Sequence, residues 1–228
     1  MLYGVGGFAG GNIGVSVGED GVVLVDDQFE PLVPKIETAL RSITPKPVRF
    51  VLNTHFHGDH THGNKVFGRT ATLVAHDNVR RRMAADDRFD DKPGTKAPPH
   101  ALPLVTFDRQ VTVHLNGEEI RGLHFPAGHT DGDTVVYFTR SNVVHMGDAF
   151  NNAGLPFVDL SSGGSINGII TAAEQVYAMT DAQTKIIPGH GALTNRDRLK
   201  QYREMLVALR TRMQREVAAG RTVDQVLA

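Results

Sequence analysis

Apolar positions along this chain follow two periods that alternate from one end to the other. Val22-Val23-Leu24-Val25 is a continuous apolar run, as a strand covered on both faces requires. Residues 12–18 and 21–26, joined by Glu19-Asp20, therefore read as a pair of strands. The period then changes. Leu32, Ile36, Leu40 and Ile43 recur at helical spacing and predict a helix over 31–43, stopped by Pro45 and Pro47. Residues 48–52 read as a buried strand, 64–67 as a short helix, 70–75 as a strand and 76–84 as a helix.

Residues 85–103 hold four Asp, four Pro and few apolar positions, so they read as a surface loop between two halves. Beyond it, 110–115 and 118–125 predict a hairpin across Asn116-Gly117. A second strand pair, 134–139 and 142–146, meets across Arg140-Ser141. Residues 165–179 predict a helix capped by Ser165, and 184–187 a short strand. Residues 195–219 predict a long amphipathic helix, with Leu199, Tyr202, Leu206, Leu209, Met213 and Val217 on one stripe. Two successive blocks of strands and helices fit an α/β fold, a four-layer αββα sandwich, with 1–228 as a single domain.

Composition narrows the function more than the fold. The 228 residues are 40% hydrophobic and 21% charged, with a formal net charge of -1. Without a long block of like charge, the chain is not expected to bind nucleic acid or a membrane surface. No apolar run approaches the length of a membrane span. Arg80-Arg81-Arg82, followed by Asp86, Asp87, Asp90 and Asp91, reads as a solvated helix end. The absence of cysteine excludes disulfides and thiolate ligands. Gly4 to Gly14 echoes a dinucleotide fingerprint, but a strand-like run follows where that motif needs a helix.

One stretch carries chemistry: Asn53-Thr54-His55-Phe56-His57-Gly58-Asp59-His60-Thr61-His62-Gly63. Five groups that can bind a metal fall within eight residues. His55 and His57 are two apart, so an extended backbone turns both imidazoles to one side. Gly58 lets the chain turn sharply, and Asp59 and His60 then face a second point in space. One loop can thus serve two neighbouring cations, and imidazole and carboxylate are ligands zinc takes.

The pattern His-x-His-x-Asp-His after a strand resembles the metallo-β-lactamase superfamily of metallo-hydrolases. That family has three further motifs, and this chain supplies them in order: His129 in Gly-His-Thr-Asp-Gly-Asp, Asp148 in Met-Gly-Asp-Ala, and His190 in Pro-Gly-His-Gly. The resemblance covers about Gly10 to Met205. It implies the αββα fold with metals at the sheet edges. It implies one metal on His55, His57 and His129, a second on Asp59, His60 and His190, and Asp148 between them. Two zinc ions are expected, ahead of iron or manganese. A shared hydroxide would attack a small carbonyl substrate, with Asp59 and Asp148 as the catalytic carboxylates. Asp26 matches an aspartate that supports the metal loop, and Asp131 and Asp133 are candidates for a similar role beside His129. The family's mobile hairpin over the metals makes Phe8 the expected apolar substrate contact. His62 is a candidate outer partner. His76, His100, His114, His124 and His145 read as structural.

Departures from the family refine the reading. Asp148 stands where the familiar β-lactamases carry cysteine, and it makes the site resemble glyoxalase II and lactonase-type members. Glyoxalase II usually adds a carboxy-terminal region that binds glutathione, and no matching basic cluster is present. The di-iron oxidoreductase branch has Glu where His57 stands. The expected activity is hydrolysis of an amide, ester, lactone or thioester, with weak β-lactamase turnover. A phosphodiesterase or nuclease of the same superfamily, and a non-hydrolytic metal-binding or redox member, are the alternatives. Related chains usually carry a strand before Leu2 and run beyond Ala228. A secretory leader would sit with that front end, so cytoplasm and periplasm both stay open, as does oligomeric state.

Overall fold

The chain alternates strands and helices in two blocks. The first contains β1 (Gly14–Gly18), β2 (Gly21–Val25), α1 (Val33–Arg41), β3 (Val48–Leu52), α2 (Gly58–Thr61), α3 (Asn64–Phe67), β4 (Thr72–His76), α4 (Asp77–Ala85) and β5 (Val105–Phe107). The second contains β6 (Gln110–Leu115), β7 (Glu118–His124), β8 (Thr134–Phe138), β9 (Val143–His145), α5 (Ile166–Met179), β10 (Lys185–Ile187), β11 (Thr194–Asn195), α6 (Arg196–Ala218) and α7 (Val223–Leu227). The computed structural model of the protein describes residues 1–4, 10–86 and 93–227.

The strands form two sheets, in the orders β1-β2-β3-β4-β5 and β11-β10-β9-β8-β7-β6. In the first, β2 to β5 run parallel and β1 lies antiparallel on the edge. The second is antiparallel except for β9 beside β10. Parallel neighbours need crossovers, and α1 and α4 lie in two of them. Asn116 and Gly117 both take positive φ, 56° and 67°, as a two-residue hairpin between twisted strands demands.

The apolar run at 22–25 shows why there are four layers. Every residue of β2 is buried. Val22 and Leu24 pack with Val33, Ile36 and Leu40 of α1, outside the first sheet. Val23 and Val25 face the other way, onto Val113, Ile120 and Val136 of the second sheet. A third core lies beyond, where Val135, Val144 and Ile186 meet Ile169, Ala173 and Val176 of α5 and Leu199, Tyr202 and Leu206 of α6. Helix, sheet, sheet and helix follow in that order.

Differences from the expected elements are local. The helix expected from residue 31 begins as a 3-10 turn over Glu30–Leu32, and α1 proper starts at Val33. β5 escapes the pattern because it is three residues long and follows a proline-rich stretch. The loop over 85–103 is not wholly on the surface. Ala101 is fully buried, and its carbonyl accepts from Asn64 Nδ2 at 3.1 Å. The stripe on α6 outruns its support: Leu209 and Val217 are 37% and 75% exposed.

The expected metal ligands and Asp26 follow strand ends along one rim: Asp26 after β2, residues 55–60 after β3, His129 between β7 and β8, Asp148 after β9 and His190 after β10. The three cores hold that rim in place. Leu24→Ala leaves a void between β2 and α1 and should cost about 2–5 kcal/mol, read as a lowered urea midpoint. Val17→Ala on the edge strand, where the side chain is 40% exposed, should stay within about 0.5 kcal/mol.

Candidate metal centre

The rim is built outward from Asp26. This residue holds φ +64°, an uncommon conformation for a side chain other than glycine, and is 1% exposed. Its carboxylate accepts from the Thr54 N–H at 2.7 Å, the Thr54 hydroxyl at 2.8 Å and His60 Nδ1 at 2.7 Å. Since Thr54 Oγ1 donates to Asp26, it accepts from His55 Nδ1 at 3.0 Å. One buried carboxylate thus sets two imidazoles. Asn53 closes the loop behind them, donating to the His60 carbonyl at 3.1 Å and accepting from Asn64 at 2.9 Å.

The turn after His57 is a single helical turn, α2, rather than a loop bent at glycine. Gly58 opens that helix and does not take a left-handed φ. Glycine is required there for space, because a Cβ would overlap the His62 ring. His62 itself lies edge-on to Phe29 and belongs to none of the donor groups below.

The second half brings its residues up on two knitted loops. His129 N–H donates to Asp133 Oδ2 at 2.5 Å, and Thr130 donates to Oδ1 of the same carboxylate through its N–H and its hydroxyl. The His129 ring donates from Nδ1 to the Phe157 carbonyl at 2.8 Å. His57 donates from Nε2 to Asp159 Oδ2 at 3.1 Å. Asp148 sits in a 3-10 turn, Gly147–Ala149, whose Gly147 holds φ +51° with no room for a Cβ beside Thr54.

The donor atoms converge as three groups: His55, His57 and His129; Asp59, His60 and His190; and His55, His60 and Asp148. Within each group the atoms lie within 4.8 Å of one another. Asp59 Oδ2 is 3.2 Å from both His60 Nε2 and His190 Nε2. Asp148 reaches both triads, with Oδ1 3.2 Å from His60 Nε2 and Oδ2 3.3 Å from His190 Nε2 and 3.7 Å from His129 Nε2.

These residues suit a cation. His57 and His129 have each committed a ring proton to an outer partner. As neutral rings they therefore present lone pairs to each other, His57 Nδ1 to His129 Nε2 at 2.9 Å. His55 Nε2, His60 Nε2 and Asp148 Oδ1 are buried without a hydrogen-bond partner, although the last two stand 3.2 Å apart. Bare donors of this kind are costly unless something positive satisfies them. Outer hydrogen bonds that fix the tautomer are what metal-ligating histidines usually have.

Titration follows the same geometry. Burial, then the neighbouring His60 and His129, hold His55 well below the ordinary histidine value. Burial works against His60 and against the carboxylate forms of Asp59 and Asp148. Their mutual attraction outweighs it, so His60 is raised and both carboxyls are held low. Hydrogen bonds to Asp148 and then Asp59 push His190 up to about 9. Asp159 is held low because donors from Ser161, Ser162 and His57 outweigh its burial.

Other expected residues fall elsewhere. Phe8 lies outside the described residues, as do Asp87, Asp90 and Asp91. Asp131 does not touch the His129 ring. It pairs with Arg82 at 2.7 and 2.8 Å. Arg82 is therefore no solvated helix end: the ion pair and the Phe56 ring, 5.4 Å from its guanidinium carbon, hold it down. His76 and His124 stack at 3.6 Å between the sheets. His145 is fully buried, and burial brings it down to about 4. Asp159 and Thr54 were not expected. Asp159 reads locally as a turn before Ser161-Ser162, and its partner His57 is 102 positions away.

A cleft of about 430 Å³ reaches Asp148 and His190 and is walled by Tyr3, Asn12, Asn151 and Phe157.

A family model described as the metallo-beta-lactamase superfamily matches residues 6–208. Hydroxyacylglutathione hydrolase of Polaromonas sp. strain JS666 is 30% identical over 180 residues, covering 77% of this chain and 61% of that protein. The protein of the same name from Nitrosococcus oceani is 31% identical over 150 residues, covering 64% of this chain and 49% of that protein. The chain thus spans about half to three fifths of the length of these curated relatives. The solved metallo-beta-lactamase from Pontibacter korlensis matches with a TM-score of 0.68 at 18% identity, over 84% of this chain and 85% of that one, which is a likeness of fold.

Two measurements probe the site. A cation takes neutral imidazole, so below pH about 9 it must displace the His190 proton. Apparent zinc affinity should therefore rise with pH from 6 to about 9 and then level off, with proton uptake by the buffer seen in calorimetry across buffers of different ionisation heat. Asp133→Ala removes the acceptor of three hydrogen bonds at the His129 loop and should lower zinc affinity by about 10–100-fold. Asp131→Ala should cost less than tenfold. Equal effects would mean that the Arg82 pair positions His129 as strongly as Asp133 does.

Proposed function

This chain belongs to the metallo-beta-lactamase superfamily, and we propose that it is a dinuclear zinc-dependent hydrolase of a small carbonyl substrate. The observation that carries this reading is the pair of donor triads joined by Asp148, with ring nitrogens and carboxylate oxygens facing inward. His55, His57 and His129 would hold one zinc ion, Asp59, His60 and His190 the other, and Asp148 would join them. Bound zinc would supply Lewis acidity and lower the pKa of water towards about 7.

The chain's own residues do the rest. Asp59 is held ionised by His60 and His190 and is 18% exposed. It is placed to orient an attacking water by accepting a hydrogen bond from it. His190, equally exposed, lines the cleft. Phe157, with its ring 6.3 Å from that of His57, offers an apolar wall for an acyl group. Asn151 adds a polar edge to the same cleft.

Support for a thioester comes from the two relatives named hydroxyacylglutathione hydrolase. Among the described residues the cleft wall carries no Lys or Arg, which suits a neutral acyl group better than an anionic one. Amides, esters and lactones meet the same donors, and weak β-lactam turnover fits that permissiveness.

A hydrolysis panel tests the reading: a thioester, a lactone, nitrocefin, a carbapenem and a phosphodiester, each with chelator and with zinc restored. At least one acyl substrate should be cut in a chelator-sensitive way. Cleavage of the phosphodiester alone would replace the acyl reading with a phosphodiesterase. Asp148→Ala should bind fewer than two zinc equivalents and lose more than the about 10–100-fold typical of an outer partner. Near-native turnover with both equivalents kept would place the bridge on another residue.

A further inference from the structure

Four of the five imidazoles in the two triads carry a hydrogen-bond partner on the ring nitrogen turned away from the site. Among the described residues His190 carries none, so its aim depends on its backbone. That backbone is Pro188-Gly189-His190-Gly191, with a glycine on either side and Gly191 at φ +96°. Such a segment has little stiffness of its own.

The loop is held locally by the Gly189 N–H on the Gly147 and Phe150 carbonyls and by the Asn152 N–H on the His190 carbonyl, and from the far end of the sequence by Asn12, 2% exposed. Both N–H bonds of its side-chain amide end on this loop, at the Pro188 carbonyl and the Gly191 carbonyl, each at 2.8 Å. Its backbone N–H donates to the Gly189 carbonyl at 2.7 Å. The carbonyls on both sides of His190 thus end on one residue 178 positions earlier. The Asn12 carbonyl accepts from His145 Nε2 at 3.2 Å, and His145 Nδ1 accepts from the Gly147 N–H at 3.2 Å, next to Asp148.

The preceding residue meets the other imidazole of the same triad. A Cβ on Gly11 would overlap the His60 ring at Cε1 and come within 2.8 Å of Nε2, the atom that faces Asp59 and Asp148. Gln28 donates to the Gly11 carbonyl and holds the backbone at that height. Gly11 and Asn12 therefore touch the two imidazole-bearing parts of one triad, and neither contacts the His57 or His129 ring by any hydrogen bond described.

We propose that Gly11-Asn12 is a clasp that positions His60 and His190 and so sets the affinity of the second metal, the one on Asp59, His60 and His190, without touching it. Asn12 is a positioning residue whose two amide donors fix the aim of His190. Gly11 keeps open the space the His60 ring occupies. The proposal rests on the dinuclear reading above.

The test is zinc calorimetry on the metal-free full chain, with cobalt absorption as a second readout. The unsubstituted protein should take up two equivalents. Asn12→Ala, and the isosteric Asn12→Asp that turns both donors into acceptors, should weaken the second equivalent by about 10–100-fold and leave the first unchanged. Gly11→Ala should give the same selective loss through His60. Cobalt spectra of all three should then show the bands of one site at concentrations that fill both in the unsubstituted protein. Should Asn12→Ala not fold, Gly11→Ala and Asn12→Asp carry the test. Equal weakening of both equivalents, or wild-type affinity for both, overturns the clasp. Uptake of a single equivalent by the unsubstituted protein is a separate result, and it sinks the dinuclear reading before any substitution is made.

Discussion

Asp26 is the fixed point of this molecule. A carboxylate with 1% exposure is tolerable only when its lone pairs are met, and here three donors meet them. Two of those donors belong to Thr54 and one to His60, so the same hydrogen bonds that allow the charge to be buried also orient the donor loop. The arrangement needs β2 and β3 side by side with their ends level, which their parallel pairing provides: Val25 lies opposite Leu52, one residue before Asp26 and two before Thr54. It also needs φ +64° at Asp26, a cost that the three hydrogen bonds offset. Remove that carboxylate and two buried imidazoles lose their aim together.

The rest of the fold brings distant residues to the same place. The core between the sheets holds β2 and β3 against β7 and β8, and the outer core holds β9 and β10 under α5 and α6. Only with both in place do Asp148 and His190 arrive beside His60. The charges then arrange themselves as a cation site would have them. Carboxyls that burial alone would neutralise stay ionised, and imidazoles that burial alone would discharge are raised, because each group's opposite neighbour lies about 3.2 Å away. His57 Nδ1 and His129 Nε2, 2.9 Å apart with their other ring nitrogens bonded outward, have no carboxylate that close between them.

Much of this was legible in the chain. The run at 22–25 predicted a doubly covered strand, and two different cores cover it. The donor spacing at 55–60 was visible because two residues of extended backbone return a side chain to the same face. His129, Asp148 and His190 are each a single polar residue at a strand end and were found only through resemblance to a family. What stayed hidden shares one physical feature, a partner remote in sequence. Asp159 looks like a local turn because Ser161 and Ser162 do hydrogen-bond to it. Arg82 looks like one of three solvated arginines until Asp131 is placed beside it. Gly58 is the exception: it was read as a bend, and it opens a helical turn that brings the His62 ring, four residues on, against it, so there the local period was misread.

The two triads are not built alike, and the difference follows from where their residues sit in the chain. His55 and His129 are each 1% exposed and the His57 side chain 24%, and every ring of the first triad is braced from behind by a hydroxyl, a carboxylate or a carbonyl. In the second triad Asp59 and His190 are each 18% exposed, and His190 lines the cleft. Only His60 among its members leans on the Asp26 carboxylate. A group that faces substrate cannot also be walled in by partners, so its orientation has to come through the backbone. That requires glycine on both sides for the loop to turn and an outside residue to stop it from turning further. Asn12 meets the second need, because an amide offers two donors in one plane and the loop offers two carbonyls at matching distance. The first triad is thus braced ring by ring, whereas His190 in the second is held through its loop, by neighbours in the second half and by Asn12 just before β1.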